Sequence, residues 1–288
     1  MTEAPNRISD SFEKGFLNTP LEKQIANCDH YELAPLFQRL LGDHQPILEA
    51  GCGSGRWVAW FIQRGWLATG IDWSEALCRR ARQTVPGGTF VPGDMRHMPF
   101  DDHAFGAIVS LGAVEHDVEG PVAALTEYLR VLRPGGIAII TVPHLGPVRR
   151  VNRGVKAVLR PLYLAIRQRF RLQNYLLEYR RRRVAQAETH PEWAADLMRD
   201  AEGGWTFFQY NFTSVQLRGF VEKVGFEMVE EFVDFKDEGI LHNFGRAAGT
   251  YDFQSSRVQL SSLGRVLKAL LPQDVVGHML CCVARKPR

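Results

Sequence analysis

From Ile47 to Trp57 the chain reads ILEAGCGSGRW: a short apolar stretch, three alternating glycines, then an apolar run that suits a helix. Glycines at 51, 53 and 55 permit a turn too tight for residues with a Cβ, so a buried strand passes abruptly into a helix. That junction is typical of parallel sheets, and the flanking pattern extends it. Strand-like stretches at Ile47–Ala50, Leu67–Ile71, Thr89–Val91, Ala104–Ser110 and Gly136–Val142 alternate with helix-like ones. WSEALCRRARQTV carries Ser74 as a helix cap, and GPVAALTEYLRVL stops at RPGG. Later a helix, a glycine turn and a sixth strand occupy FTSVQLRGFVEKVGFEMVEEFVDF, and GHMLCCVARKP reads as a seventh. The expected fold is α/β, a doubly wound, seven-stranded, mostly parallel sheet that binds ligands at the carboxyl ends of its strands.

The turn also carries an acid. Glu49 stands just before the first glycine, and Arg56 occupies the position where a dinucleotide fingerprint wants a small residue. A carboxylate here repels a pyrophosphate and attracts a ligand that brings positive charge. S-adenosylmethionine has an ammonium and a sulfonium and no phosphate. Its ribose hydroxyls need an acid, and Asp72 ends the second strand.

Composition narrows the setting. With 45% apolar and 23% charged residues the chain reads as an ordinary soluble globular protein. No apolar run reaches the length of a membrane span, and MTEAPNRISDSFEKG resembles no signal or transit peptide, so a cytoplasmic location is expected. Five scattered cysteines lack metal-ligand or CxxC spacing and read as small buried thiols in a reducing compartment. The net charge of +3 conceals an asymmetry: Val148–Arg183 holds twelve Lys/Arg and one acid, Glu178.

Taken in order, the motifs resemble those of the class I S-adenosylmethionine-dependent methyltransferases, in the small-molecule branch that includes quinone- and lipid-modifying enzymes. The likeness spans Tyr31–Pro143, with looser matches at Phe212–Met228 and Gly277–Pro287. It rests on ILEAGCGSG, ATGIDWS, PGDMRHMPFDDHAFGAIVS, LGAVEH and EYLRVLRPGGIAIITVP. The resemblance implies that Gly51, Gly53 and Gly55 let the backbone approach the methionine part while Glu49 faces its ammonium. Asp72 would take the ribose hydroxyls and Trp73 lie against the adenine. Asp94 would accept from the adenine amino group, Met95 flank the ring, and Leu111 contribute backbone.

Methyl transfer from a sulfonium is an in-line displacement, so a base is needed only where the acceptor must lose a proton. His116 and His144, after the fourth and fifth strands, are candidate bases, with structural roles as the alternative. Glu115 and Asp117 flank His116, but the spacing matches no metal motif. In WTFFQYNFT, Tyr210 is singled out from aromatics that either line an acceptor pocket or pack in the core.

The organisation expected is an N-terminal helical cap over 1–45, a cofactor-binding half over 46–144, a basic helical lid over 145–204 and the rest of the core over 205–288. In the lid, Pro161 opens a helix with Leu162, Ile166, Phe170 and Leu177 on one face and Arg160, Arg167 and Arg171 on another. The basic stretch 148–183 suits a solvated cap or an anionic membrane surface; nucleic acid is the less favoured partner. The expected activity is methylation of an oxygen or carbon of a hydrophobic small molecule. The rivals are an RNA methyltransferase and a non-catalytic S-adenosylmethionine-binding protein.

Overall fold

A computed structural model describes residues 20–155, 181–199, 203–252 and 257–288. The lid helix read over Pro161–Leu177 and residues 1–19 of the expected N-terminal cap lie outside the described residues. β1 (Ile47–Ala50) is buried at all four positions, as a central parallel strand covered on both faces has to be. It pairs in parallel with β2 (Ala68–Asp72) and β4 (Phe105–Leu111). β3 (Thr89–Pro92) adds beside β2, and β5 (Leu132–Pro143) beside β4. β6 (Ala194–Arg199) and β7 (Trp205–Asn211) form an antiparallel hairpin outside this sheet. β8 (Glu227–Asp234) returns to it. A small ribbon of β9 (Gly249–Asp252) and β10 (Arg257–Leu260) follows, and β11 (Met279–Arg285) then inserts antiparallel between β5 and β8. The sheet order is β3-β2-β1-β4-β5-β11-β8.

Helices pack against the sheet for reasons visible in their residues. In order they are α1 (Leu21–Cys28), α2 (Leu33–Leu40), α3 (Arg56–Ile62), α4 (Glu75–Thr84), α5 (Val122–Val131), α6 (Ser214–Val224), α7 (Lys236–Phe244), α8 (Ser262–Leu270) and α9 (Gln273–Val276). α3 buries Trp57, Val58, Ala59, Trp60 and Phe61, so it is enclosed nearly all round. Phe37 of α2 meets Trp57 edge-to-face at 5.0 Å and Phe61 at 5.5 Å, which locks the N-terminal helices to the first crossover helix. Ser74 caps α4 by accepting from the Leu77 N–H at 3.1 Å. Thr213 and Gln216 form a reciprocal capping box on α6, which stops at Gly225 in the left-handed region.

Two features differ from the sequence reading. WTFFQYNFT, which leads into α6, supplies strand β7, and its partner β6 falls within the expected helical lid, so 145–204 contains strand as well as helical residues 147–155 and 181–187. The stretch between β8 and β11, to which pattern assigned no element, is an excursion of α7, the β9–β10 ribbon, α8 and α9. Its elements are short, and short elements leave weak periodicity. Among the described residues no helix is long and apolar enough to cross a membrane.

Candidate active site

β3, β2, β1 and β4 are consecutive in the sheet, so their carboxyl ends place Asp94, Asp72, Glu49 and Leu111 along one edge. The glycine turn occupies the middle. Gly51, Gly53 and Gly55 all have positive φ, and two of them are crowded as well. A Cβ on Gly51 would fall 2.7 Å from Ala113 Cβ, and one on Gly55 would fall 2.5 Å from the Phe90 ring. Any side chain at either place would displace the loop that follows β4 or the strand β3.

Each acid is held differently. Glu49 Oε2 accepts from the Val58 N–H at 3.1 Å, serving a first-turn amide of α3 that Gly55, lacking a side chain, cannot cap. Burial pushes the Glu49 carboxyl up to about 8, against the pull of Arg56 and of that amide. Asp72 accepts from the Gly53 N–H at 2.8 Å and the Ser74 N–H at 2.9 Å, so the turn and the second strand end form one hydrogen-bonded unit. Burial alone would raise Asp94, but hydrogen bonds from the side chain and backbone of Arg96 hold it below the usual carboxylate range. Arg96 Nη2 lies 2.7 Å from Asp94 Oδ2, and Nη1 lies 3.5 Å from Asp117 Oδ2, linking the loops after β3 and β4. Met95 accepts from the Tyr128 hydroxyl at 3.3 Å and lies near Gly51. Trp73 is half exposed, whereas Leu111 packs partly into the core.

The candidate acid-base residues separate. His116 stays beside the cofactor edge, but its ring is held by carbonyls: Nδ1 lies 2.7 Å from Phe208 O, and Gly112 supplies a second backbone contact. Burial lowers its pKa, against the opposing pull of those two backbone contacts. The His144 ring points to the β11 side, against Gly146 and the Gly277 carbonyl, with Nδ1 buried and without a partner. Tyr210 is fully buried. Its hydroxyl donates to Val118 O at 2.8 Å and accepts from the His190 N–H at 2.9 Å. Those two bonds make it a bracket between the hairpin and the loop after β4.

Three residues escaped the sequence reading. Gln24 of α1 accepts from Ser54 Oγ at 2.6 Å and so closes over the glycine turn. Arg96 occupies the Asp94 carboxylate. Glu115, passed over in the search for metal ligands, is 1% exposed, and its Oε2 has no hydrogen-bond partner. Burial pushes its carboxyl up to about 8. Its other oxygen would lie 3.5 Å from a Cβ on Gly112, at the start of the loop after β4. The E-H pair in LGAVEH was the available signal.

These residues fit S-adenosylmethionine. The cradle at Gly51 has no room for a side chain, the buried Glu49 calls for a cation, and the donor set is acidic as a phosphate-free cationic ligand requires.

Known proteins agree with that geometry. A methyltransferase-domain family matches residues 48–140. Demethylmenaquinone methyltransferase of Chlorobaculum tepidum is 33% identical over 171 residues, covering 57% of this chain and 67% of that protein. Malonyl-[acyl-carrier protein] O-methyltransferase of Erwinia pyrifoliae is 34% identical over 124 residues, 40% of this chain and 45% of that one. The chain thus spans about half the length of several relatives it matches, such as the 51% covered of the Serratia marcescens protein of the same name. In fold, an S-adenosylmethionine-dependent methyltransferase from Methanosarcina mazei aligns over 88% of this chain and 98% of its own, with a TM-score of 0.57 at 19% identity. The chain belongs to the class I S-adenosylmethionine-dependent methyltransferases.

Proposed function

We propose that this protein transfers a methyl group from S-adenosylmethionine to an oxygen or carbon of a hydrophobic small molecule of lipid- or quinone-like type. The observation that carries this reading is the edge formed by β1 to β4, where a tight glycine turn and three acids adjoin the buried carboxyl of Glu115, whose Oε2 has no hydrogen-bond partner and whose Oε1 lies 4.0 Å from His116 Nε2. Relatives named for demethylmenaquinone and for phthiotriol/phenolphthiotriol dimycocerosates support the choice of acceptor class.

S-adenosylmethionine, when bound, supplies an electrophilic methyl group on a sulfonium. Glu49 would pair with its ammonium, Gly51, Gly53 and Gly55 would admit its methionine part, and Asp72 would take the ribose hydroxyls. Trp73 and Met95 would flank the adenine, with Leu111 contributing backbone. Asp94 would receive the adenine amino group, sharing its carboxylate with Arg96. Glu115, rather than His116 or His144, is assigned the proton from the acceptor, because a buried carboxylate that ionises only near pH 8 is a strong base once formed. His116 positions it by tying the loop after β4 to Phe208. The β6–β7 hairpin, tied to the loop after β4 through the Tyr210 hydroxyl, would flank the acceptor.

The test uses methyl-labelled S-adenosylmethionine and cell extract, separated into organic-soluble, aqueous, RNA and protein fractions. Label in the organic phase is expected. Label confined to RNA would overturn the acceptor class, and absence of turnover with every extract would favour a non-catalytic binding protein.

A further inference from the structure

Two excursions leave the sheet at its carboxyl edge, one after β5 and one between β8 and β11. They pack on each other. Val148, in helical residues 147–155, joins an apolar cluster with Ile240, Phe244, Leu267, Leu271 and Val276, and Asn152 Nδ2 donates to Asn243 O at 2.9 Å. Side chains that turn away from this cluster are as apolar as those that turn in. On α8, Gly264 is buried and Leu267 reaches the cluster, while Leu263, Val266 and Leu270 are 49%, 52% and 74% exposed. Their spacing is that of one helical stripe. In helical residues 147–155, Val151 and Val155 are one turn apart and also exposed. A single exposed aliphatic residue needs no explanation, but a stripe of them on one small unit marks a contact surface.

Charge selects the partner. From Arg246 to Leu271 the chain has four cations (Arg246, Arg257, Arg265 and Lys268) and one acid, Asp252. Residues 147–155 add Arg149, Arg150 and Arg153 with no acid. Three of these cations are paired internally, Lys268 with Asp237 at 2.8 Å and Arg149 and Arg153 with Asp196, and Asp274 is an exposed acid close by, so the charge facing outward comes from the remaining arginines. Arg150, Arg246, Arg257 and Arg265 are exposed. A short helix with an aliphatic stripe and flanking cations is the form that lies in the headgroup region of an anionic bilayer.

We propose that α8, together with helical residues 147–155, is a foot that docks on an anionic lipid bilayer, with Leu263, Val266 and Leu270 entering the acyl boundary. This moves the centre of membrane contact from the arginine-rich 148–183 to an excursion in which pattern showed no element. The docking surface stands on exposure and charge; that it delivers a membrane-dissolved acceptor to the carboxyl edge rests on the methyl-transfer reading.

The test is co-sedimentation with vesicles of phosphatidylcholine and phosphatidylglycerol at roughly three to one, against phosphatidylcholine alone. The wild type is expected to pellet with the mixed vesicles and far less with the neutral ones. L263E/V266E/L270E is expected to lower the partition coefficient about tenfold or more, with its unfolding midpoint and cofactor affinity unchanged. L270W, which keeps the stripe apolar, is expected to show a blue-shifted difference emission on adding mixed vesicles. A wild type that stays in the supernatant overturns the proposal, as does a triple variant that binds like the wild type. A dimer that the triple variant dissociates, without vesicle binding, assigns the stripe to a second copy of the chain and also overturns it. Vesicle binding without methyl transfer to any fraction supports the foot and sinks the enzymatic reading, so the two fail separately.

Discussion

The edge formed by β1 to β4 and the excursions beyond β5 and β8 belong to the same sheet, yet they are built on opposite principles. Around β1 to β4 a dense apolar cluster such as Trp57–Phe37–Phe61 faces inward, and Glu49 and Asp72 are tied to backbone amides. Across β5, β11 and β8 the excursions leave aliphatic stripes on the outside. One side holds a ligand of fixed shape, which rewards rigidity. On the other side the excursions carry the exposed aliphatic surface that the membrane proposal uses.

The sharpest way to break the comparison is to unpack each side in turn. Trp57→Ala removes a fully buried ring and is expected to cost about 3–5 kcal/mol, read as a lowered denaturant midpoint. Leu270→Ala, the matching truncation on α8, is expected to stay within about 0.5 kcal/mol of the wild type. Equal losses would erase the distinction.

The next effect is on the ligand. Asp72→Ala is expected to weaken S-adenosylmethionine binding more than about tenfold in calorimetry, because the mutation removes both the acid and the bonds that hold Gly53 and Ser74. An unchanged affinity would remove the ribose assignment.

Protonation gives a finer probe. Burial raises the folded-state pKa of Glu115 to about 8, so its neutral form is favoured in the folded protein. That stabilisation is complete below the ordinary Glu value and drains away as pH climbs towards 8. Glu115→Gln, permanently neutral, is therefore expected to raise the unfolding midpoint at pH 8 by on the order of 5 °C and to leave it unchanged near pH 4. Turnover of the same variant should fall at every pH. A stabilised variant with normal turnover would leave Glu115 buried for structural reasons alone.

The smallest effect concerns Glu49. Its pKa is likewise raised to about 8, and pairing with an ammonium requires the ionised form. Cofactor affinity is expected to tighten as pH rises towards 8, with proton release on binding seen as a buffer-dependent heat. Glu49→Gln should flatten this dependence.

How much of the molecule could be read beforehand follows the same divide. Gly51, Gly55, Glu49 and Asp72 announce themselves because the backbone and charge demands there admit few residue types. Gln24 does not, since a side chain that meets Ser54 from thirty residues away leaves no local spacing to recognise; Arg96 lies only two residues from Asp94, but a neighbouring Asp and Arg pair is too common on surfaces to single out. Tyr210 was legible only as an aromatic that suits a pocket wall and a core bracket equally well; its two hydroxyl bonds, made across the fold, leave no trace in the local sequence. Glu115 was visible as a residue; its missing partner was not.

The antiparallel course of β11 has one more consequence. Met279 is the register partner of Asp234, so the excursion from 235 to 278 begins and ends at adjacent points and is, topologically, the tip of a long β-hairpin. Closing such a tip costs entropy that grows only with the logarithm of its length. Evolution can therefore enlarge, trim or exchange this piece without re-registering a single strand. For the engineer it is a cassette: a graft between Asp234 and Met279 would change what the catalyst stands on while the cofactor edge stayed as it is.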